Sequence, residues 1–183
     1  MMLIVCSCAV LHAGQKIIFQ GMTATYSGDG TMTLANPFAD YMYTLLISGT
    51  TNSSGNIGTL TIKPKMANVR NDVFIDTIKS ALPLNVNITF PPGKTKTCYL
   101  RNLYINGPSK TIKVIGGDLG ASDAEDGRVI VSGELGTLQV GGKKFNVPGT
   151  TLTEWWGGNI WSDITVYGPS KKIYTSGGDL YYD

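Results

Sequence analysis

Histidine is nearly missing from this 183-residue chain: the single one, His12, lies in the apolar run from Met1 to Ala13. A nucleophilic triad needs an imidazole placed to carry a proton, so that chemistry has little material here, and a satisfied core or cap histidine is the plainer reading. Cysteine is scarce too. Cys6, Cys8 and Cys98 form no Cys-x-x-Cys pair, and three thiols with one imidazole do not readily make a zinc centre. They are read either as buried or free thiols, or as one disulfide from Cys98 to Cys6 or Cys8, which would point to an oxidising compartment. Charged residues are only 15% of the chain and the net charge is +2. That is too little to imply nucleic acid or an anionic membrane, and along the sequence the basic residues read as scattered rather than striped. Met1–Ala13 is too short to cross a bilayer as a helix. The expectations are therefore no cofactor, no metal, no nucleic-acid partner and no transmembrane segment.

What is abundant is glycine, 23 residues, with Thr, Ile, Val and Tyr throughout. This is the composition of many short strands joined by tight turns, and the length suits one domain with a real core. A small-Gly-acid/amide-apolar tetrad recurs as Gly116-Gly117-Asp118-Leu119, Ser132-Gly133-Glu134-Leu135, Gly157-Gly158-Asn159-Ile160 and Gly177-Gly178-Asp179-Leu180, at start-to-start spacings of 16, 25 and 20. Two of the four close a longer duplication. Gly107-Pro108-Ser109-Lys110-Thr111-Ile112 returns 61 residues later as Gly168-Pro169-Ser170-Lys171-Lys172-Ile173. An offset of 61 suggests three solenoid coils of about 20 residues each.

Along the chain, Met1–Ala13 has no Lys or Arg in an n-region, so an apolar first strand or cap competes with an uncleaved leader. Strands are expected at 16–19, 22–26, 31–34, 41–48 and 58–63, with Ser27-Gly28-Asp29-Gly30 as a turn and 49–56 as an exposed loop. Asn68–Leu84 reads as the one candidate helix, with Pro83 as its stop, or alternatively as a strand at Asp72–Asp76 followed by a loop. From Leu84 onward short strands are expected at 85–90, 99–105, 111–115, 128–131, 137–140, 164–167 and 173–175. Val86, Ile88 and Phe90 share one face by their period of two. The fold expected is an all-β, right-handed parallel β-helix or β-solenoid over residues 1–183. Residues 1–66 would be irregular N-terminal strands and a cap, and residues 84–183 regular coils with a Trp-rich insertion at 150–161.

In such a coil the tetrad marks a corner. Glycine permits close backbone approach, the acid or amide accepts backbone N–H groups, and the Leu or Ile points to the core. The sharper alternative is a Ca²⁺ ladder of stacked carboxylates, but the uneven spacing and the lack of the Gly-Gly-x-Gly-x-Asp register oppose it. Asp123, Glu125 and Asp126 read as a solvated loop.

The run Gly58-Thr59-Leu60-Thr61-Ile62-Lys63-Pro64-Lys65, then Val86-Asn87-Ile88-Thr89-Phe90-Pro91, then Leu103-Tyr104-Ile105-Asn106-Gly107 and the Gly-Asp-Leu corners, resembles the adhesin families of bacteria and archaea typified by the head-domain auto-adhesin. The resemblance spans residues 31–180. It implies a secreted or surface-anchored single-stranded right-handed β-helix without catalytic residues. The Trp-rich insertion and the missing lipobox depart from the family pattern.

Lys113 with Asp118, or Lys171 with Asp179, is the nearest approach to a glycan-cleaving pair, and turn structure explains each carboxylate better. Trp155, Trp156 and Trp161, with Tyr167 and Tyr174 and the terminal Tyr181 and Tyr182, are the main candidates for a ligand site or interface. They would serve as a cap over the end of the coil, as a subunit interface, or as a platform for a cell-surface glycan or protein. The apolar N-terminus and the last strands also suggest homo-oligomers by end-to-end strand pairing. Asn52-Ser53-Ser54 and Asn87-Ile88-Thr89 are sequons, the second inside an expected strand. The functional expectation is a non-catalytic scaffold, secreted or at the cell surface. A carbohydrate-binding or virion-associated β-helix is the alternative, and a glycan-cleaving enzyme a remote third.

Overall fold

A computed structural model of the chain describes residues 16–19, 23–27, 31–35, 42–48, 57–63, 74–90, 98–120, 127–146, 151 and 153–178. Every regular element among them is a β-strand. Seven strands make a first sheet in the order β1 (Lys16–Phe19), β4 (Met42–Ser48), β6 (Phe74–Ser80), β8 (Tyr99–Ile105), β11 (Arg128–Val131) and β15 (Asp163–Val166), with the short β10 (Asp118–Leu119) also paired to β8. Seven more make a second sheet in the order β16 (Ser170–Ser176), β12 (Leu135–Gly141), β9 (Ser109–Ile115), β7 (Leu84–Thr89), β5 (Gly58–Lys63), β3 (Thr31–Ala35) and β2 (Thr23–Ser27). A hairpin of β13 (Lys143–Asn146) and β14 (Thr153–Trp156) stands as a third, two-stranded sheet. Pairing is parallel throughout the two large sheets except where β1 meets β4 and β2 meets β3.

From β3 to β9 successive strands fall in alternate sheets, and β11, β12, β15 and β16 continue the alternation. The register gives the step. Leu60 lies beside Val86, Val86 beside Ile112 and Ile112 beside Leu138, each 26 residues on. The next step, Leu138 to Ile173, is 35. The first sheet keeps the same rhythm, 25 from Ile78 to Leu103, 26 from Leu103 to Val129 and 35 from Val129 to Ile164. The step of about 20 expected from the sequence is thus corrected. The 61-residue duplication carries Ile112 onto Ile173 in two steps, the second lengthened by the β13–β14 hairpin.

The core follows from alternation. In β7 the pattern is buried, half-buried, buried throughout, so Leu84, Val86 and Ile88 face inward while Asn85, Asn87 and Thr89 face out. The inward residues stack from strand to strand: Leu60, Val86, Ile112 and Leu138 form one fully buried column, and Ile62, Ile88, Val114 and Val140 a second. Leu103, Ile105, Val129 and Val131 face them from the first sheet, with Phe90 and Cys98 in the same cluster. Each fully buried aliphatic side chain contributes about 1.5–3 kcal/mol relative to exposure.

The helix considered over 68–84 is not formed where the chain is described: Phe74–Ser80 is strand β6 and Leu84 opens β7. The strand departs from simple alternation. Ile75 and Ile78 are both fully buried, three residues apart, and so are Leu100 and Leu103 on the neighbouring strand. Against β4 the register slips between Tyr43 and Thr44, leaving Asp76 as the extra residue of a bulge. β8 follows with Arg101 extra in step, since Ile75 lies beside Leu100 and Thr77 beside Asn102. The two bulged residues pair with one another, Arg101 Nη1 to Asp76 Oδ1 at 3.5 Å.

Outward polar side chains tie one strand to the next. The Asn85 Oδ1 accepts the backbone N–H groups of Lys110 and Thr111 at 2.8 and 3.1 Å, and Asn102 Oδ1 accepts that of Arg128 at 3.1 Å. Such asparagines satisfy donors at strand entries, where the ladder has not yet begun.

Ile88→Ala, which opens the second buried column, is expected to cost about 2–5 kcal/mol in urea denaturation. Asn87→Ala, on the outer face of the same strand, should stay within about 0.5 kcal/mol.

Candidate functional site

The tetrads build two separate rows of corners. In one row, Ser132-Gly133-Glu134 lies between the two Gly-Pro-Ser copies: Ser109 N donates to Glu134 O at 2.8 Å, and Leu135 N to Pro169 O at 2.9 Å. A Cβ on Gly133 would stand 2.5 Å from Pro108 N, so only glycine fits between the prolines. In the other row, Gly157–Ile160 stacks on Gly116–Leu119. Gly158 N donates to Gly117 O, Leu119 N to Asn159 O and Trp161 N to Leu119 O, at 3.0, 3.0 and 2.7 Å. Gly157 has φ +67°, and a Cβ there would stand 2.5 Å from Gly117 Cα. This division explains the uneven spacing, because the tetrad at 132 belongs to a different corner from the other three. The β13–β14 hairpin is inserted within the second row. Gly141 O accepts Gly116 N at 2.7 Å, and the row resumes at Gly157 after the hairpin. Gly178 packs on Gly158, while Asp179 and Leu180 lie outside the described residues.

Asp118 is the one buried carboxylate among the described residues, 6% exposed. Its Oδ1 accepts the backbone N–H of Asn159 at 2.9 Å and the Asn159 side-chain amide at 3.1 Å. Burial pushes its pKa up, opposed by the Asn159 backbone, the Trp161 side chain, the Asn159 amide and the Gly158 backbone. The acid therefore works as a corner clasp. Leu119, Leu135 and Ile160, the apolar members of the tetrads, are all buried. Glu134 turns outward instead, toward Lys171 Nζ at 3.5 Å. Among the described residues no three His, Cys, Asp or Glu gather as a metal site would require. No helix among them is long and apolar enough to cross a membrane.

The five aromatic candidates fall in four places. Trp155 and Trp156 belong to β14, opposite Lys144 and Lys143 of the hairpin, and their side chains lie outside the described residues. Trp161 follows the Leu119–Ile160 bridge, half-buried and close to Asp118. Tyr167 sits at the corner after β15 and is 73% exposed. Tyr174 lies on the outer face of β16, half-buried, with Lys172 Nζ 4.2 Å from its ring centre. Tyr181, Tyr182, Cys6, Cys8, His12, the 123–126 acidic group and the 49–56 loop with its sequon lie outside the described residues. Cys98 is buried and its carbonyl accepts Asp118 N at 2.8 Å. Asn87, of the second sequon, is on the outer face of β7.

Sequence reading missed the outer face of the second sheet. There Asn87, Lys113, Gln139 and Tyr174 form one row across four strands, and Thr111, Thr137 and Lys172 form the row beside it. The 26-residue step could have revealed these rows, since each row is one position read once per step.

Asp118→Ala leaves the Asn159 donors unanswered and is expected to cost about 1–3 kcal/mol, more than Asp118→Asn. Because the folded pKa is raised, the native state takes up the proton before the unfolded chain does. Asp118 therefore favours folding below its ordinary carboxylate value and loses that contribution as pH rises through the raised one. The stability of the parent relative to Asp118→Asn should fall as pH rises from the ordinary carboxylate value through the raised one, as read by denaturation at each pH.

No family model, curated protein or solved structure matches the chain.

Proposed function

We propose that the chain is a right-handed parallel β-helix serving as a non-catalytic scaffold, secreted or displayed at a cell surface and adhesin-like in kind. The observation that carries the reading is the alternation of successive strands between two parallel sheets at a nearly constant 26-residue step. A chain that returns to the same sheet beside its previous visit must wind, and parallel crossovers are right-handed almost without exception. A rigid stack whose inward columns, among the described residues, are mainly apolar leaves its outward side chains, corners and hairpin for contact with other molecules. The carboxylates support a structural use: Asp118 clasps a corner, while Asp76 and Glu134 are matched to Arg101 and Lys171. Incubation with a panel of polysaccharides should release no reducing ends; release that disappears in Asp118→Asn would overturn the reading in favour of a glycan-cleaving enzyme.

The two ends of the stack differ, and this favours assembly through one of them. At one end the edge strands β1 and β2 pair antiparallel to their neighbours, and at the other β15 and β16 pair parallel; among the described residues each of the four pairs on one side only. Ile164 and Val166 are only partly buried and Ile173 is 37% exposed. Open edges over an unfinished apolar column suit a second copy presenting the same end. Light scattering is expected to show a dimer that Ile173→Glu reduces to monomer; a monomer at all concentrations would contradict it.

A further inference from the structure

The small net charge conceals a segregation of charge between the sheets. Strands of the second sheet carry Lys63, Lys110, Lys113, Lys171 and Lys172 and not one Asp or Glu. Those of the first carry Asp76, Asp118 and Asp163 alongside Lys16, Lys79, Arg101 and Arg128. The basic residues look scattered in sequence only because the 26-residue step spaces them. In the fold Lys113 of β9 and Lys172 of β16 stand two strands and one row apart, with Gln139 and Thr137 of β12 between them. Lys110 and Lys171 edge the same surface, both exposed, with the exposed Glu134 at the corner as the one acid beside them.

We propose that the outer face of β7, β9, β12 and β16 binds an extended, carboxylate-bearing polysaccharide laid across the strands. The proposal deepens the scaffold reading and rests on it, since a stiff stack supplies the flat face. Charge complementarity selects the anion: ammonium groups at Lys113 and Lys172 meet carboxylates without a competing acid on these strands. Between them the amides of Asn87 and Gln139 and the hydroxyls of Thr111 and Thr137 can both donate and accept, as sugar hydroxyls require. Neighbouring strands stand about 4.8 Å apart, close to the length of one pyranose in an extended chain. Successive sugars would therefore meet successive strands. The ring of Tyr174, with Lys172 Nζ 4.2 Å over its centre, holds that ammonium on this face. A nucleic acid fits less well, because single-stranded readers present a series of aromatics and this face has one.

Polygalacturonate serves as the probe, with dextran as the neutral comparator and oligothymidylate as the anionic one, each titrated by calorimetry at low salt and at about 0.5 M salt. Polygalacturonate should bind at low salt and weaken with salt, while dextran should not bind. The double variant Lys113→Gln with Lys172→Gln should weaken binding roughly tenfold or more. Lys79→Gln with Arg128→Gln, on the other sheet, should leave it unchanged, with circular dichroism verifying the fold of each. Absence of polygalacturonate binding, equal affinity in the Lys113/Lys172 variant, or tighter binding of oligothymidylate would overturn the proposal. The size of the recovered polymer separates the two readings. Bound polymer that is shortened removes the non-catalytic reading and keeps the face, whereas unbound, intact polymer removes the face and keeps the scaffold.

Discussion

The structure depends on backbone meeting backbone where the chain turns. A strand can lie beside the strand one step earlier only if the corner that leads into it also lies against its predecessor, with no side chain between. The row formed by Gly116–Leu119 and Gly157–Ile160 meets that condition through glycine, reciprocal N–H to carbonyl bonds and the clasp from Asp118 to Asn159. The Gly-Pro-Ser row meets it around Gly133. Once both rows are fixed, parallel pairing and the inward columns follow, because register cannot slip without turning every Val and Ile outward.

Asn159 has a further consequence for the clasp. With aspartate at both 118 and 159, a half-buried carboxylate would face the buried one and their repulsion would favour a proton between them. With asparagine the contact joins an acceptor to a donor. Asparagine at 159 is what makes the buried acid tolerable.

Much of the fold was legible in the sequence because β-alternation is local. Val86-Asn87-Ile88 states its own inward and outward faces, and the strand spans expected from 16–19 to 173–175 coincide with observed strands to within a few residues. The step was not legible from the tetrads, since they mix two corners and a hairpin interrupts one. In Phe74–Ser80 the alternation that marks a strand is broken, because the bulge at Asp76 sets the buried Ile75 and Ile78 three residues apart rather than two. The outer face of the second sheet was invisible for a third reason. Lys113, Gln139 and Tyr174 have no local signature and become neighbours only through the register. The aromatic candidates, chosen by residue type, are spread over the hairpin, a half-buried corner and the last turn.

The central claim is the 26-residue step between neighbouring strands, and cysteine pairing tests it most directly. In a background with Cys6, Cys8 and Cys98 changed to alanine, Thr111→Cys with Thr137→Cys places two thiols on adjacent parallel strands about 4.8 Å apart, within disulfide reach. The account predicts that this pair closes under mild oxidation and that Thr111→Cys with Val131→Cys, set at the rejected step of about 20, does not. Closure of the second pair and not the first would contradict it.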